Sequence, residues 1–216
     1  MATKFTRSAP SPRYRRLVQQ YEQMHLHGET HLGIPPEKTF PGASLPKQAA
    51  PIKRLIRLTG SKTILDYGCG KGQQYHPLRI MDDGERVEYP DIRSFWGVDE
   101  IRCYDPGYQP FKELPTGKFD GVVCTDVLEH CPEEDIPWIL EELFAFSTKF
   151  VFANVACFPA RKRLPSGGNA HCTIKPAGWW EEQLERPARA KADLRYEFRL
   201  AYLKADQLKE KVLQRT

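Results

Sequence analysis

The sequence contains no run of about 18 apolar residues, which is the length that a membrane-spanning helix requires. Its first residues include basic side chains, but no apolar stretch follows them as it does in a secretory signal peptide. The mean hydropathy is −0.57, which is typical of proteins that dissolve in water. These absences predict a chain that is neither exported nor inserted in a membrane, and that has no membrane partner.

Cysteine pairs are also absent. The six cysteines form no Cys-x-x-Cys motif and are scattered along the chain, at positions 69, 103, 124, 131, 157 and 172. This spacing disfavours a zinc ribbon or a disulfide framework, and it favours reduced thiols in the cytoplasm, the predicted location. No internal repeat occurs, and 216 residues are enough for one ordinary three-layer core.

Positive charge is concentrated in the first part of the chain. Residues 1–60 carry a net charge of +7, whereas the remainder carries −3. Such a basic segment is able to meet nucleic acid or an acidic partner, or it forms an ordinary solvated surface. The solvated surface is favoured, because the isoelectric point near 8.7 is modest for a protein that binds nucleic acid.

The most informative segment is Thr63–Gly72, which reads Thr-Ile-Leu-Asp-Tyr-Gly-Cys-Gly-Lys-Gly. Its first residues are β-branched and apolar, as in a buried strand, and three alternate glycines then predict a tight turn. Glycine accepts positive φ and has no Cβ, so a ligand is able to lie directly against the backbone. The segment therefore predicts a site for a nucleotide-like cofactor.

The spacing Asp-x-Gly-x-Gly-x-Gly differs from the Gly-x-Gly-x-x-Gly of dinucleotide sites. It resembles the first motif of class I S-adenosylmethionine-dependent methyltransferases. The resemblance implies that the cofactor is S-adenosylmethionine, whose ammonium and sulfonium suit a carboxylate such as Asp66. The cofactor-binding residues that it implies in this segment are Asp66, Tyr67, Gly68, Cys69, Gly70 and Gly72.

Strands that alternate with helices predict a Rossmann-like, doubly wound α/β fold with a mostly parallel sheet flanked by helices. Residues 1–50 are predicted to be an N-terminal helix with a cap or loop segment, in which a disordered lead-in over 1–10 precedes a helix beginning at Ser11-Pro12. Residues 51–216 are predicted to be the methyltransferase-like domain. Its predicted strands are at 63–66, 101–104, 119–124, 150–155 and 196–202. Its predicted helices are at 52–60, after Gly72, and at 132–146, 176–185 and 205–214, and a polar insertion is predicted at 82–97.

In an open parallel sheet, ligands bind beyond the carboxyl ends of the strands. Asp105 follows the second predicted strand and is placed to accept both hydroxyls of a ribose. Asp99 is its rival, and Asp105 is favoured because the apolar run ends there and a turn follows. Thr125 and Asp126, at the end of the next strand, complete the predicted cofactor site.

A second motif runs from Phe119 to His130 and reads Phe-Asp-Gly-Val-Val-Cys-Thr-Asp-Val-Leu-Glu-His. It is similar to the fourth-strand region of methyltransferases of types 11 and 23, so the resemblance covers residues 60–156. His171, followed by Trp179 and Trp180, weakly resembles a later segment of those families; the tryptophans flank an acceptor or belong to the core. Only 13 residues separate Asp105 from Phe119, which is too few for the usual helix and third strand.

Asp126, Glu129 and His130 have the spacing i, i+3 and i+4, which places them on one face if a helix begins there. With His171 they predict a site for a divalent metal ion, as in the ubiquinone-type O-methyltransferases and the enzymes that methylate small-RNA 3′ ends, which this pattern resembles. The alternative, which is favoured, is a capping aspartate, a solvated glutamate and a histidine that packs or orders the substrate.

The functional prediction is S-adenosylmethionine-dependent methyl transfer to an unidentified acceptor, with a small-molecule hydroxyl or amine favoured. His130 or His171 is the predicted base that removes the acceptor's proton. One alternative is an RNA or DNA methyltransferase that uses the basic N-terminal segment. Another is a protein that binds the cofactor and catalyses nothing.

Overall fold

A computed structural model of the chain describes residues 5–42, 44–75, 78–82 and 85–215, with the backbone alone for residues 74, 78–82 and 85–87. The helices are α1 Pro12–His27, α2 Leu45–Thr59, α3 Ile92–Trp96, α4 Ile136–Phe146 and α5 Ala177–Ala190. The strands are β1 Thr63–Tyr67, β2 Leu78–Asp82, β3 Glu85–Tyr89, β4 Glu100–Tyr104, β5 Phe119–Thr125, β6 Ser147–Ala156, β7 Arg195–Lys204 and β8 Gln207–Arg215. In the described part of the chain, no helix has both the length and the apolar character needed to cross a membrane.

The main sheet has six strands in the order β4-β1-β5-β6-β7-β8. Every neighbouring pair is parallel except β7 and β8, which are antiparallel. Strands β2 and β3 form a separate antiparallel hairpin. With helices on its faces, this sheet is the predicted Rossmann-like α/β fold.

The central strands are apolar throughout because both of their faces are buried. Along β1 and β5, Leu65 and Val122 point into a core shared with α4 and α5, while Ile64 and Val123 point into a second core shared with α2 and α3. A strand covered on both sides reads as a continuous apolar run rather than as an alternating pattern. This is why the sequence reveals these strands clearly.

The predicted shortage of residues after the second strand of the sheet is confirmed. Residues 105–118 are all described, and they contain a single 3-10 turn, Gln109–Phe111, but no strand. Strand β4 therefore forms the edge of the sheet. The residues that cover the carboxyl end of β4 therefore do not belong to a strand of this sheet.

One prediction about secondary structure is wrong. Residues 205–214, predicted as a helix, form the turn and strand β8 of a hairpin with β7. Ala205 and Asp206 have φ of 49° and 60°, the left-handed pair typical of a two-residue hairpin turn. The polar segment 82–97 contains strand β3 and helix α3, while Asp83 and Gly84 lie outside the described residues.

Helix boundaries also differ from the prediction at two places. Helix α2 begins at Leu45 and contains Pro51, so the predicted division of the chain at residues 50 and 51 falls inside a helix. After Gly72, where a helix was predicted, the structure has one 3-10 turn, Gln73–Tyr75, and residues 76 and 77 lie outside the described part of the chain. Helix α1 begins as predicted, with Ser11 accepting a hydrogen bond from the amide of Tyr14.

The lead-in predicted to be disordered is fixed in place over its described residues. The Arg7 guanidinium donates hydrogen bonds to the Glu142 carboxylate and to the hydroxyls of Tyr67 and Tyr104, and it lies 4.7 Å from the centre of the Trp138 ring. Charge-assisted bonds of this kind, combined with aromatic stacking, are the strong contacts of arginine. Arg7 therefore joins the N-terminal segment to α4 and to the ends of β1 and β4.

Candidate active site

The glycine turn follows β1, and its conformation requires glycine. Gly68, Gly70 and Gly72 have φ of 83°, 59° and 65°, in the left-handed region that disfavours other residues. The amides of Gly68 and Cys69 donate to the carbonyl of Tyr104, which ties the turn to the end of β4. A side chain at Gly68 would overlap Val127, so close packing against the segment after β5 is a second reason for glycine there.

Asp66, the acidic residue of the motif, is 1% exposed. Its Oδ2 accepts a hydrogen bond from the Tyr75 hydroxyl at 2.5 Å. Burial, followed by the nearby Asp66 charge, raises the pKa of Tyr75 well above its usual value, so the tyrosine remains a donor. The buried Asp66 carboxylate thus joins the end of β1, before the glycine turn, to Tyr75 after it.

The structure brings Asp105, and not Asp99, to the glycine turn. The Asp105 carboxylate accepts hydrogen bonds from the amide of Gly70 at 2.9 Å and from that of Gly107 at 2.8 Å. Burial raises the pKa of Asp105, while these two bonds act in the opposite direction. Asp99 precedes β4 and is exposed at the opposite end of the strand.

Aromatic side chains cover the glycine turn and Asp105, and apart from the helical spacing of α1 no pattern in the sequence predicts them. The His25 ring lies 4.8 Å from the rings of Phe40 and Tyr108, and Tyr21 lies 5.7 Å from Phe40. The Phe40 carbonyl accepts from the amide of Lys71 in the glycine turn. The segment from α1 to Phe40 therefore forms a cover over the turn.

Asp126 ends β5 in a left-handed conformation, with φ of 53°. Such a conformation is uncommon outside glycine, and where it occurs it is often found at functional sites. Its carboxylate is exposed and accepts hydrogen bonds from the Ser44 hydroxyl and the Asn154 side-chain amide. Thr125 pairs with Asn154 in the β5–β6 register, so these residues share one edge of the sheet.

The helical face predicted for Asp126, Glu129 and His130 does not form. The backbone of Asp126 is left-handed, which no α-helix contains, and Leu128–His130 form a single 3-10 turn rather than the start of a helix. Asp126 is exposed whereas Glu129 is fully buried. The part of the chain that the structure describes contains no group of three or more His, Cys, Asp or Glu able to hold a metal ion, so the predicted four-residue metal set, which included His171, is not assembled.

Glu129 is a buried structural link rather than the solvated residue of the alternative interpretation. Its Oε1 accepts from the amide of Ala156 at 2.7 Å, and its backbone carbonyl accepts from the amides of Cys172 and Thr173. Burial and, secondarily, the Asp126 charge raise the pKa of Glu129 to about 8. At neutral pH the side chain is therefore mostly protonated.

Replacing Glu129 with glutamine is expected to raise stability at alkaline pH. The unfolded chain loses this proton near pH 4.5 and the folded chain near pH 8, so stability of the parent falls as pH rises between these values. The neutral amide escapes this loss, and E129Q should exceed the parent by up to about 4 kcal/mol at pH 9 while matching it at pH 5. Urea titration at both pH values measures the difference.

The matched control is E182Q, which removes an exposed carboxylate from α5. It should follow the parent at both pH values, because the Glu182 side chain lies in solvent in the folded chain as it does in the unfolded chain. A stability difference for E129Q that is the same at pH 5 and pH 9 would contradict the protonated state of Glu129.

His130 and His171 lie side by side, with ring centres 4.8 Å apart. Nδ1 of His130 lies 3.0 Å from the carbonyl of Ala170 and 2.8 Å from the Tyr21 hydroxyl, and Nδ1 of His171 lies 2.6 Å from the carbonyl of Phe158. A carbonyl oxygen only accepts, so these hydrogen bonds assign the proton to Nδ1 in both rings. In the neutral form of His130 the lone pair is then on Nε2.

Burial, followed by the neighbouring His171, lowers the pKa of His130 to about 3. The ring is therefore neutral at physiological pH and is a proton acceptor rather than a donor. Tyr21 lies between His130 and the turn that follows Asp105. Its hydroxyl contacts the His130 ring, and its Cβ lies 3.1 Å from the position that a Cβ on Gly107 would take. The two tryptophans lie elsewhere, with Trp180 fully buried in the core and Trp179 packed against it.

A stretch of 104 residues is 32% identical to the chloroplastic magnesium protoporphyrin IX methyltransferase of Arabidopsis thaliana. The match covers 44% of this chain and 32% of that protein, so the chain spans about a third of the length of the curated relative. No family model matches the chain. No solved structure matches it either.

Proposed function

We propose that this chain binds S-adenosylmethionine and transfers its methyl group to an acceptor, with a small-molecule hydroxyl or amine as the favoured class. One observation carries the proposal: Tyr21 lies between the Asp105 turn and the neutral imidazole of His130, whose Nε2 has no hydrogen-bond partner among the described residues. The Arabidopsis relative supports methyl transfer in general. Its protoporphyrin acceptor is not carried over, because the match covers a minor part of that enzyme.

The residues at the glycine turn fit such a cofactor chemically. Each oxygen of the Asp105 carboxylate accepts one backbone amide and keeps lone pairs that suit the two hydroxyls of a ribose. The Asp126 carboxylate, exposed at the neighbouring strand end, suits a cationic group. The cofactor supplies a methyl group activated by a sulfonium. A Cβ on Gly70 would lie 2.9 Å from the Phe40 carbonyl oxygen and one on Gly72 would lie 3.2 Å from the Phe111 ring, so the chain itself packs closely against both glycines.

The chain's own contribution to the chemistry is to place the acceptor and remove its proton. Nε2 of His130 is the proposed proton acceptor, since the Ala170 carbonyl holds the proton on Nδ1. Tyr21 orients the ring by contacting both the imidazole and that carbonyl. Because the pKa of His130 is so low, its ring holds the acceptor's proton only transiently, while the methyl group is transferred. Positioning of the acceptor therefore supplies most of the rate.

The test is to incubate the protein with a cell extract and S-adenosylmethionine labelled in its methyl group. Label in the small-molecule fraction, with equimolar S-adenosylhomocysteine, is the expected result. Label in RNA or DNA would instead identify a nucleic-acid acceptor for which residues 1–60 provide the positive charge. Calorimetric binding of the cofactor without any labelled product would identify a non-catalytic binding protein, and absence of binding would overturn the proposal.

A further inference from the structure

Residues 35–42, which we call the Phe40 segment, lie directly on the glycine turn. They are all described, and they contain one 3-10 turn, Pro36–Lys38, but no strand or α-helix. The Phe40 carbonyl accepts a hydrogen bond from the Lys71 amide at 3.4 Å, and the Glu37 carbonyl accepts one from the Gln73 side-chain amide at 3.1 Å. An N–H···O bond of ordinary strength is about 2.9–3.0 Å long, so the Phe40 contact is a weak one.

The Phe40 carbonyl fills the face of Gly70 that a ligand would use. Its oxygen lies 2.9 Å from the position that a Cβ on Gly70 would take. Glycine in such a turn leaves room for a ligand to lie against the backbone. Here a part of the chain itself lies in that room, so a cofactor atom in contact with Gly70 would overlap the carbonyl. The Phe40 segment therefore has to move before a cofactor binds at this face.

Phe40 holds this segment in place with a backbone conformation that phenylalanine disfavours. Its φ is 53°, in the left-handed region, where a bulky residue is a genuine outlier. The centre of its ring lies 4.8 Å from that of His25, 5.7 Å from that of Tyr21 and 4.5 Å from the Lys162 ammonium. These ring contacts oppose the tendency of the backbone to relax by leaving the turn.

The Phe40 segment has the construction of a unit that moves between two ends. Three internal hydrogen bonds of 3.0–3.1 Å hold its first half in a turn, one from the amide of Lys38 and two from the amide and hydroxyl of Thr39. One end follows Ile34, which exchanges two backbone hydrogen bonds with Glu29, and the other end is Gly42, with φ of 73°. In hinge motions a few such terminal residues absorb the change in φ and ψ.

Helix α1, by contrast, is fixed to the rest of the fold. The amide of Ser11 donates to the Asp135 carboxylate at 3.0 Å, and the rings of Tyr14 and Trp138 lie 5.3 Å apart. The motion that uncovers Gly70 is therefore a motion of the Phe40 segment alone, and it leaves the α1 side chains beside the turn in place.

We infer that the Phe40 segment is a gate, which Phe40 holds closed over the glycine turn and which the binding of S-adenosylmethionine displaces. The inference rests on the proposed function, because it takes this cofactor as the ligand of the turn. On opening, the Lys71 amide exchanges the Phe40 carbonyl for an oxygen of the cofactor's carboxylate. A charge-assisted hydrogen bond thus replaces a long neutral one, and the Phe40 backbone leaves its disfavoured conformation.

Calorimetry of S-adenosylmethionine binding to F40A in the full chain tests the inference through the sign of the change. Alanine removes the ring contacts but still disfavours the left-handed backbone, so the gate is open in a larger fraction of molecules. Apparent affinity is the intrinsic affinity multiplied by that fraction, and F40A should bind the cofactor roughly tenfold more tightly than the parent. A phenylalanine that contacted the cofactor, or that only stabilised the site, would give weaker binding in F40A.

Hydrogen exchange of the Lys71 amide gives a readout that needs no cofactor. In the parent the Phe40 carbonyl protects this amide, and in F40A the amide should exchange roughly tenfold faster. Q73A removes the other hydrogen bond to the Phe40 segment and should change affinity and exchange in the same direction. The control L32A removes an exposed side chain outside the segment and should match the parent in both measurements.

Equal or weaker binding of S-adenosylmethionine by a folded F40A would overturn the gate, and so would equal exchange of the Lys71 amide in F40A and the parent. If neither protein binds the cofactor, the proposed function fails and the Lys71 amide decides alone. Faster exchange in F40A would then retain the gate for a different ligand of the turn. Thermal melting establishes that F40A is folded, and if it is not, Q73A takes its place in both measurements.

Discussion

The variant H130A is expected to transfer methyl groups about 10²–10⁴ times more slowly than the parent, with unchanged affinity for S-adenosylmethionine. The reason is that His130 offers a neutral Nε2, with Nδ1 held by the carbonyl of Ala170. Alanine removes this proton acceptor without adding charge. Single-turnover formation of S-adenosylhomocysteine measures the rate, and calorimetry measures the affinity.

The control for this prediction is H27A, which removes an exposed histidine from the end of α1. Its rate should equal that of the parent. A full rate in H130A would show that acceptor positioning alone accounts for catalysis. A loss of activity in a chelator that divalent ions restore would instead require metal binding at residues that the structure does not group together.

The pH profile gives a second measure of the same base. An unperturbed histidine would lose its base form near pH 6.5, and the sequence alone predicts a rate that falls there. Burial lowers the pKa of His130 to about 3, so the base form persists through pH 5 and the rate should not fall between pH 8 and pH 5. Y21F, which removes the hydroxyl contact but keeps the ring, should shift this profile as well as slow the reaction.

The second large effect concerns the cofactor. We expect D105A to weaken S-adenosylmethionine binding well over tenfold, because two hydrogen bonds to a charged acceptor are together worth about 2–4 kcal/mol. The same carboxylate also holds the amides of Gly70 and Gly107, so its loss loosens the turn itself. Calorimetry measures the affinity, and circular dichroism establishes that the variant is folded.

D99A is the matched control, since Asp99 lies before β4 and is exposed. It should bind the cofactor as the parent does. The assignment of the ribose to Asp105 would be wrong if D99A lost affinity and D105A kept it. Equal losses in both variants would indicate a general effect on the edge strand rather than a direct contact.

Local pattern was sufficient to predict the glycine turn and the central sheet. Ile64 and Leu65 belong to the cores on opposite faces of the sheet, so successive residues of β1 are apolar. The strand can therefore be recognised from the sequence alone. The turn that follows needs positive φ at each glycine, which is again a local property. The position of Asp105 beside Gly70 followed from the rule that parallel strands end at one edge.

Features that depend on distant contacts were predicted poorly. Strand β8 is charged and reads as a helix by itself, and only its pairing with β7 fixes it as a strand. The helix predicted at Asp126 does not form, because the backbone of Asp126 is left-handed. Its side chain contacts Ser44 and Asn154, which are distant in sequence, and the spacing of residues predicts neither feature.

The contact between Arg7 and Glu142 has a consequence for synthesis of the chain on the ribosome. The two residues are 135 positions apart, so at about 5–20 residues per second their partnership waits roughly 7–27 s after Arg7 is made. Tyr14 of α1 likewise packs against Trp138, and Leu17 against Leu164. Helix α1 thus leaves the ribosome well before these partners are synthesised, and its apolar face is a surface for chaperones to shield during translation.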